Sequence, residues 1–251
     1  MDRFSLKDKV AIVTGSSAGL GQAMAVGFAQ AGASVVGVAT RDSHEAKGTI
    51  EALGGRFHAV QADLSTLEPV QRIVDETLAA FGRVDILINN AGIIRRQDII
   101  DFTEENWDEV VDLNLKTAFF LSQAVARVFI RQGTGGKIIN TASMLSFQGG
   151  IRVVSYTASK SGLAGITKAM ACEWAKFGIN VNALAPGYMA TDNTVQLRSD
   201  PARYNEILGR IPAGRWGEAE DMVGPALFLA SSASNYLNGA IVPVDGGYQA
   251  R

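Results

Sequence analysis

Residues 10–21, VAIVTGSSAGLG, decide the fold. A short apolar run rich in β-branched residues leads into three spaced glycines and then into a helical pattern, which predicts a strand, a tight turn and a helix. Glycines let the backbone of such a turn approach a pyrophosphate, and N–H groups at the start of the helix point towards the anion. The spacing Gly-x-x-x-Gly-x-Gly differs from the more familiar Gly-x-Gly-x-x-Gly, and an ordinary glycine-rich turn is the alternative.

Similar apolar runs recur along the chain and alternate with segments of helical periodicity. Strands are predicted at residues 10–14, 35–39, 57–61, 84–89, 137–141, 179–184 and 241–244. Helices are predicted at residues 21–30, 67–81, 104–131 and 156–177. Unbroken apolar strands fit a sheet covered on both faces, and the alternation indicates right-handed βαβ units. We therefore expect an α/β fold, a doubly wound Rossmann-type parallel sheet of about seven strands with helices on both faces.

Length and composition fit one domain over residues 1–251. The chain is 47% hydrophobic and 19% charged, which indicates a large buried core, and no linker divides it. The irregular, polar stretch at about residues 187–216 is the expected substrate lid. Because the formal net charge is −2, the basic excess of a nucleic-acid binder is missing.

The same composition indicates a soluble cytoplasmic protein without a membrane partner. No run of about 18 apolar residues is present, and the start of the chain lacks the pattern of a secretory signal. A single cysteine, Cys172, cannot form an intrachain disulfide, and no pattern of metal ligands is visible.

The end of the second predicted strand bears on the choice of dinucleotide. An acidic side chain there would accept a hydrogen bond from the ribose 2′-hydroxyl of NAD, but the position holds Ala39, followed by Thr40 and Arg41. NADP is therefore open, since Arg41 would pair with a 2′-phosphate; a solvated surface charge is the alternative. Asp63, with Leu64 beside it, is expected near the adenine amino group or, alternatively, as a turn cap.

Three polar residues near the fifth strand have the chemistry of proton transfer. Ser143 follows that strand, and Tyr156 and Lys160 are spaced to share one helix face. A lysine ammonium at about 5 Å contributes roughly 3 kcal/mol at an effective dielectric of 20, or about two pK units towards the phenolate. Tyr156 is thus expected to exchange a proton with an alcohol or carbonyl oxygen that Ser143 holds. A surface pair is the alternative.

The sequence resembles the short-chain dehydrogenases/reductases along essentially its whole length. Residues 14–21 match the glycine motif of that family, and residues 89–92, NNAG, match its fourth-strand motif. Its catalytic tetrad falls on Asn114, Ser143, Tyr156 and Lys160. The resemblance implies that Asn114 kinks its helix and fixes a water that relays protons from Lys160.

The resemblance also implies a nicotinamide dinucleotide, NAD by the preference of the most similar members, with NADP as the alternative. Pro186 and Gly187 match the turn that contacts the nicotinamide amide. Dinucleotide contacts are expected from Gly15, Ser17, Gly19, Leu20, Gly21, Thr40, Arg41, Asp63, Leu64, Asn90, Ala91, Gly92, Tyr156, Lys160, Pro186, Gly187, Met189 and Thr191. For Met189, plain core packing is the alternative.

Three stretches, residues 136–152, 185–191 and 211–217, resemble members that oxidise deoxy-hexonates in pectin and uronate breakdown. Such a substrate brings a carboxylate and several hydroxyls. Substrate contacts are expected from Ser143, Gln148, Arg152, Tyr156, Arg95 and Tyr188. We expect Arg152, with Arg95 or Arg96, to bind the carboxylate; a salt bridge is the alternative for each arginine.

Two other functions stay open at this stage. One is an NADPH-dependent reductase of 3-oxoacyl thioesters or general carbonyls, which the Ala39-Thr40-Arg41 run favours. The other is a catalytically silent dinucleotide sensor, against which the intact tetrad argues. The resemblance further implies a homotetramer in which the helices at 104–131 and 156–177 pair across a twofold axis.

Overall fold

The chain runs outward along three parallel strands and then crosses back to the middle of one seven-stranded sheet. The computed structural model describes residues 2–250. The strand order is β3-β2-β1-β4-β5-β6-β7, and every pairing is parallel. The strands are β1 Val10–Thr14, β2 Ser34–Ala39, β3 Phe57–Gln61, β4 Ile86–Asn89, β5 Gly136–Thr141, β6 Ile179–Pro186 and β7 Ile241–Val244.

Helices connect the strands and cover both faces of the sheet. They are α1 Gly19–Gln30, α2 His44–Ala52, α3 Pro69–Phe81, α4 Glu104–Val111, α5 Ala118–Gln132, α6 Val154–Trp174, α7 Val195–Arg198, α8 Pro201–Leu208 and α9 Val223–Ala230. The predicted α/β class with a doubly wound parallel sheet is confirmed. None of these helices, which lie within residues 2–250, has the length and apolar character needed to cross a membrane.

The burial of β1 shows why its sequence is apolar without alternation. Ala11 and Val13 pack into a core with Phe28 of α1, while Ile12 packs into a second core with Phe129 of α5. All five residues of β1 are buried. A central parallel strand needs apolar side chains in both directions because helices cover both sides.

The reversal of strand order between β1 and β4 positions the site. β1 pairs with β2 on one side and with β4 on the other, so the connections leaving the two strands diverge. Divergent connections open a crevice at the carboxyl ends of the strands, the usual ligand position in a doubly wound sheet. The glycine turn after β1 lies at that crevice.

The helix predicted at 104–131 is interrupted. A π-helical stretch, Asp112–Thr117, separates α4 from α5 and contains Asn114. Helices α2 and α9 were not among the predicted helices, and the irregular stretch at 187–216 contains the short helices α7 and α8. The predicted helix at 156–177 begins earlier, at Val154, and ends in a 3₁₀ turn, Ala175–Phe177.

Candidate active site

The glycine turn combines two unusual backbone conformations with one close contact. Gly15 and Gly19 have φ of +68° and +55°, in the left-handed region that glycine adopts without strain. Gly21 has an ordinary φ, but a Cβ there would lie 2.2 Å from the Gly15 carbonyl oxygen and 2.5 Å from Asn90 Nδ2. Gly21 therefore makes room for the turn to fold on itself, and it does not line the crevice.

Hydrogen bonds from Thr14 and Asn90 fix the floor of the crevice. The Thr14 hydroxyl accepts from the backbone N–H groups of Asn90 at 2.9 Å and Ala91 at 3.0 Å. The Asn90 side-chain amide donates back to the Thr14 carbonyl at 3.0 Å. These bonds join the ends of β1 and β4. The NNAG motif therefore holds the glycine turn after β1 against the loop after β4.

A cavity of about 280 Å³ lies along this floor and gathers most of the expected dinucleotide residues. It runs from Arg41 at the end of β2 to Lys160 on α6. Its lining comprises Gly15, Ser17, Ala18, Gly19, Leu20, Thr40, Arg41, Asn90, Ala91, Gly92, Thr141, Tyr156, Lys160, Pro186, Thr191 and Asp192. Gly15 and Gly19 line the cavity at the start of α1, where backbone N–H groups and the absence of side chains fit the pyrophosphate of a dinucleotide.

Asp63 and Leu64 line an adjoining cavity of about 420 Å³ that shares Gly15, Ser17 and Gly92 with the first. One carboxylate oxygen of Asp63 accepts a hydrogen bond from the Ser65 N–H at 2.9 Å. This bond caps a turn, as the alternative prediction for Asp63 states. The residue therefore caps a turn and faces the cavity as well.

The end of β2 carries a cation in place of the acidic residue. Arg41 is exposed, lines the cavity and has no ion pair within residues 2–250. Asp42 turns away, and its carboxylate lies 3.7 Å from His44 Nδ1 at the surface. The side chains at this edge therefore suit an anionic group, such as a 2′-phosphate, better than the ribose 2′-hydroxyl, which would donate a hydrogen bond to a carboxylate.

Tyr156, Lys160 and Ser143 converge where the crevice meets a second cavity. Lys160 Nζ lies 5.5 Å from the centre of the Tyr156 ring and donates to the Thr141 carbonyl at 2.6 Å. Ser143 lies two residues beyond β5, and its hydroxyl is close enough to the Tyr156 phenol to lower the pKa of the phenol. The same Ser143 oxygen accepts from the Leu145 N–H at 3.1 Å, which fixes its position.

Burial acts on the two titratable groups in opposite directions. It raises the pKa of Tyr156 above its ordinary value, against smaller lowering effects from the Ser143 hydrogen bond and the Arg96 charge. It lowers the pKa of Lys160 to about 8. Burial is thus the largest influence on the pKa of the phenol, and Lys160 is not among the groups that shift it, so the expected pull of the lysine charge towards the phenolate stays a prediction.

Asn114 is buried, and both the oxygen and the nitrogen of its side-chain amide make hydrogen bonds. Its oxygen accepts from the Ile93 N–H and its nitrogen donates to the Ile93 carbonyl, both at 2.9 Å, with a further contact to Ser159 Oγ at 3.3 Å. A Cβ built on Gly92 would lie 3.0 Å from the Asn114 oxygen and 3.6 Å from Lys160 Nζ. Asn114 thus sits in the π-helical stretch beside the lysine and fixes the loop after β4.

The second cavity, of about 320 Å³, opens on the other side of Tyr156. It gathers four of the expected substrate residues, which are Ser143, Gln148, Tyr156 and Tyr188. Three arginines also line it, Arg96, Arg203 and Arg210, together with Tyr248 near the end of the chain.

The two other expected substrate residues lie outside this cavity. Arg152 Nε pairs with Asp98 at 2.9 Å, and Arg95 Nε pairs with Glu109 at 2.8 Å beside the cavity that Asp63 lines. The salt-bridge alternative therefore describes both. Sequence reasoning missed Arg203 and Arg210. Because α8 ends at Leu208, helical spacing does not relate the two arginines, and no local pattern marked them.

Met189 and Gly187, which are expected to contact the dinucleotide, lie outside the cavity that the glycine turn lines. Met189 is 5% exposed, belongs to the core on the α1 face and does not line the crevice. Its sulfur packs where a Cβ of Gly217 would be, so core packing explains it. Gly187 lines the substrate-side cavity instead. Within residues 2–250, no three His, Cys, Asp or Glu side chains are grouped to hold a metal ion.

A glycine-lined crevice at the switch point, next to a phenol, an ammonium and a hydroxyl, defines an oxidoreductase of the NAD(P)-dependent short-chain type. The chain belongs to this family: residues 9–202 match the model described as short chain dehydrogenase.

Its relatives narrow the class. The chain is 60% identical to a 2-dehydro-3-deoxy-D-gluconate 5-dehydrogenase of Dickeya dadantii, over 100% of this chain and 99% of the relative. The enzyme of the same name from Escherichia coli is 59% identical over the same shares. A candidate 2-deoxy-D-gluconate 3-dehydrogenase of Agrobacterium tumefaciens, solved with bound NADP, is 53% identical, with a TM-score of 0.94 and full coverage of both chains.

Proposed function

We propose that this protein interconverts a secondary hydroxyl and a ketone on a deoxy-hexonate, the 2-dehydro-3-deoxy-D-gluconate 5-dehydrogenase or 2-deoxy-D-gluconate 3-dehydrogenase reaction. The observation that carries the proposal is the position of Tyr156, which lines both cavities. Lys160 lines the dinucleotide side alone, and Ser143 the substrate side alone. A group in that position is able to pass a proton between substrate oxygen and protein while the nicotinamide, when bound, accepts or supplies a hydride.

Each of the four polar residues has a distinct part in the proposal. Ser143 holds the substrate oxygen in hydrogen-bonding reach of the Tyr156 phenol. Tyr156 takes or gives the proton at that oxygen. Lys160 supplies positive charge beside the ring, and Asn114 holds the loop that carries Gly92 against the lysine.

The substrate-side cavity suits a sugar acid. Its three guanidinium groups outnumber its one carboxylate, that of Glu206, and therefore favour an anion. Gln148 and the hydroxyls of Ser143 and Tyr188 offer partners for sugar hydroxyls. The relatives from Dickeya dadantii and Escherichia coli are named for a sugar acid, 2-dehydro-3-deoxy-D-gluconate. We place the activity in uronate and pectin breakdown in the cytoplasm.

We further propose that NADP occupies the crevice with its 2′-phosphate at Arg41. The exposed cation at the cavity edge and the outward turn of Asp42 support this choice over NAD. The Agrobacterium relative, solved with bound NADP, supports it too.

Assembly and lid movement complete the proposal. Helices α4, α5 and α6 pair two subunits, and a homotetramer results; the half-exposed Trp107, Phe120 and Ile130 on α4 and α5 support an apolar contact. Residues 187–216 act as the lid over the substrate, with α8 packed through Ile207 against Met144 and Trp216.

Absorbance at 340 nm tests the reaction. We expect purified protein to oxidise 2-deoxy-D-gluconate with NADP, or to reduce the corresponding keto acid with NADPH, and product NMR identifies the carbon that changes. Turnover of a 3-oxoacyl thioester with NADPH and none of any sugar acid would instead support the carbonyl-reductase alternative. Tight dinucleotide binding without turnover would support the silent sensor.

A further inference from the structure

Charge is distributed unevenly along the substrate-side cavity. Arg96 lies close enough to Tyr156 for its charge to act on the phenol. Arg203 and Arg210 belong to the lid, and their charges lie among the aromatic rings of Tyr188 and Tyr248. The carboxylate of a substrate could therefore bind at either of two cationic ends of the cavity, the Arg96 end or the lid end with Arg203 and Arg210.

The lid end has the features of an anion receptor. The Arg210 guanidinium lies 4.6 Å from the centre of the Tyr248 ring and has no ion pair within the described part of the chain. Tyr248 is 4% exposed and packs against Tyr188 at 5.4 Å between ring centres, so the platform under Arg210 is held in place. Arg203 Nη1 pairs with Glu206, a carboxylate that also lines the cavity, and the other N–H donors of the guanidinium stay available to a ligand. With Arg210 beside this pair, the lid end keeps a net positive charge.

The Arg96 end of the cavity suits the substrate carboxylate less well than the lid end, for an electrostatic reason. The Arg96 charge opposes the effect of burial on the Tyr156 phenol. A carboxylate bound at Arg96 would cancel that charge, and the phenol would be still harder to ionise. An anion at the lid end leaves the Arg96 charge free to favour ionisation of the phenol.

We propose that Arg203 and Arg210 form the receptor for the substrate carboxylate, so that the carbon that reacts at Tyr156 lies far along the chain from the carboxylate. This inference rests on the proposed function and specifies how that site reads its substrate. It makes the lid the element that distinguishes an acid from a neutral sugar, because the receptor lies on residues 203 and 210 of the lid region.

Kinetics of Arg203→Gln and Arg210→Gln test the assignment in the full-length protein. With 2-deoxy-D-gluconate we expect KM to rise about 10- to 100-fold in each variant, with a smaller change in kcat. With 2-deoxy-D-glucitol, the neutral polyol of the same chain, KM is expected to stay within about twofold. Arg96→Gln is expected to lower kcat and to leave KM for the acid nearly unchanged. The opposite pattern, with KM for the acid raised only by Arg96→Gln, overturns the assignment.

Arg56→Gln is the matched control, because Arg56 is also exposed and lies 5.2 Å from an aromatic ring centre, that of Phe81, outside the cavity. It is expected to behave as the unchanged protein. Thermal unfolding of each variant identifies any loss of fold, and Arg210→Lys, which keeps the charge on a similar stem, is expected to recover part of the affinity.

A binding measurement separates this inference from the proposed function. Trp216 stacks on Tyr204 at 5.6 Å between ring centres, in the hydrophobic cluster that also holds Tyr188 of the cavity lining. Tryptophan fluorescence is therefore expected to change when the cavity is occupied. If the unchanged protein turns over no sugar acid, the proposed function fails, and D-gluconate is titrated by fluorescence instead. A signal that Arg210→Gln abolishes still supports the receptor, whereas no signal, or an equal one in both proteins, overturns it.

Discussion

Lys160 Nζ lies 5.5 Å from the centre of the Tyr156 ring, yet burial raises the pKa of the phenol and lowers the pKa of the lysine to about 8. Near neutral pH the phenol therefore holds its proton and the lysine is mostly charged. Such a pair is ready to donate a proton to a carbonyl oxygen, and it must lose that proton before an alcohol is oxidised.

Opposite pH dependences in the two directions follow from this pair. We expect kcat/KM for ketone reduction to fall as the pH rises above about 8, because Lys160 then loses the positive charge beside the ring, while the phenol, whose pKa burial raises, stays largely protonated. We expect kcat/KM for alcohol oxidation to rise with pH over the same range. Initial rates from pH 6 to 10 in both directions check this. Parallel profiles in the two directions would show that another group controls the proton.

Arg41→Ala is expected to change the choice of dinucleotide. The side chain lines the cavity edge without an ion pair among residues 2–250, and a charge-assisted pair with a phosphate contributes about 1.5–3 kcal/mol. We therefore expect the KM for NADP to rise about 10- to 100-fold and that for NAD to change little. Arg56→Ala serves as the control. Equal effects on both dinucleotides would remove Arg41 from the phosphate site.

Gly21→Ala tests the glycine turn without touching the crevice lining. The added Cβ would lie 2.2 Å from the Gly15 carbonyl oxygen, so the turn must open. We expect affinity for either dinucleotide to fall at least about tenfold. Gly48→Ala is the matched control, since a Cβ there meets nothing within 4 Å and alanine favours the helix by roughly 1 kcal/mol. Unchanged dinucleotide titrations of Gly21→Ala would contradict the close packing.

Asn114→Ala is expected to lower both stability and turnover. The substitution leaves the partly buried N–H and carbonyl of Ile93 without their partners, which costs about 1–3 kcal/mol of unfolding free energy. The loop beside Lys160 loses its anchor, so kcat falls as well. Urea unfolding and kinetics measure the two effects. Asn106→Ala, at a half-buried amide on α4, is expected to change both far less.

Local signals predicted the sheet and the crevice because the decisive features lie close together in the chain. Continuous apolar runs identify buried parallel strands, and the glycine turn after β1 marks the switch point. Tyr156 and Lys160 lie one helical turn apart, so their shared face was evident from spacing.

Features that depend on distant contacts were missed. The segment Asp112–Thr117 has helical periodicity, and its π-helical turn accompanies the bonds that Asn114 makes with Ile93, across 21 residues. Met189 is apolar in a predicted lid, and only its packing against Gly217 shows that it belongs to the core. Arg210 becomes a cavity residue through Tyr248, which lies 38 positions further along the chain, by 248 − 210.

Turnover by Tyr156→Phe tests the central claim most directly. The substitution removes the proton-carrying hydroxyl and keeps the ring, so dinucleotide binding, followed by NADPH fluorescence, is expected to persist. We expect kcat on the deoxy-hexonate to fall by about 10³-fold, within the usual contribution of a positioned acid or base. A kcat within tenfold of the unchanged protein would contradict the assignment of Tyr156 as the group that moves the proton.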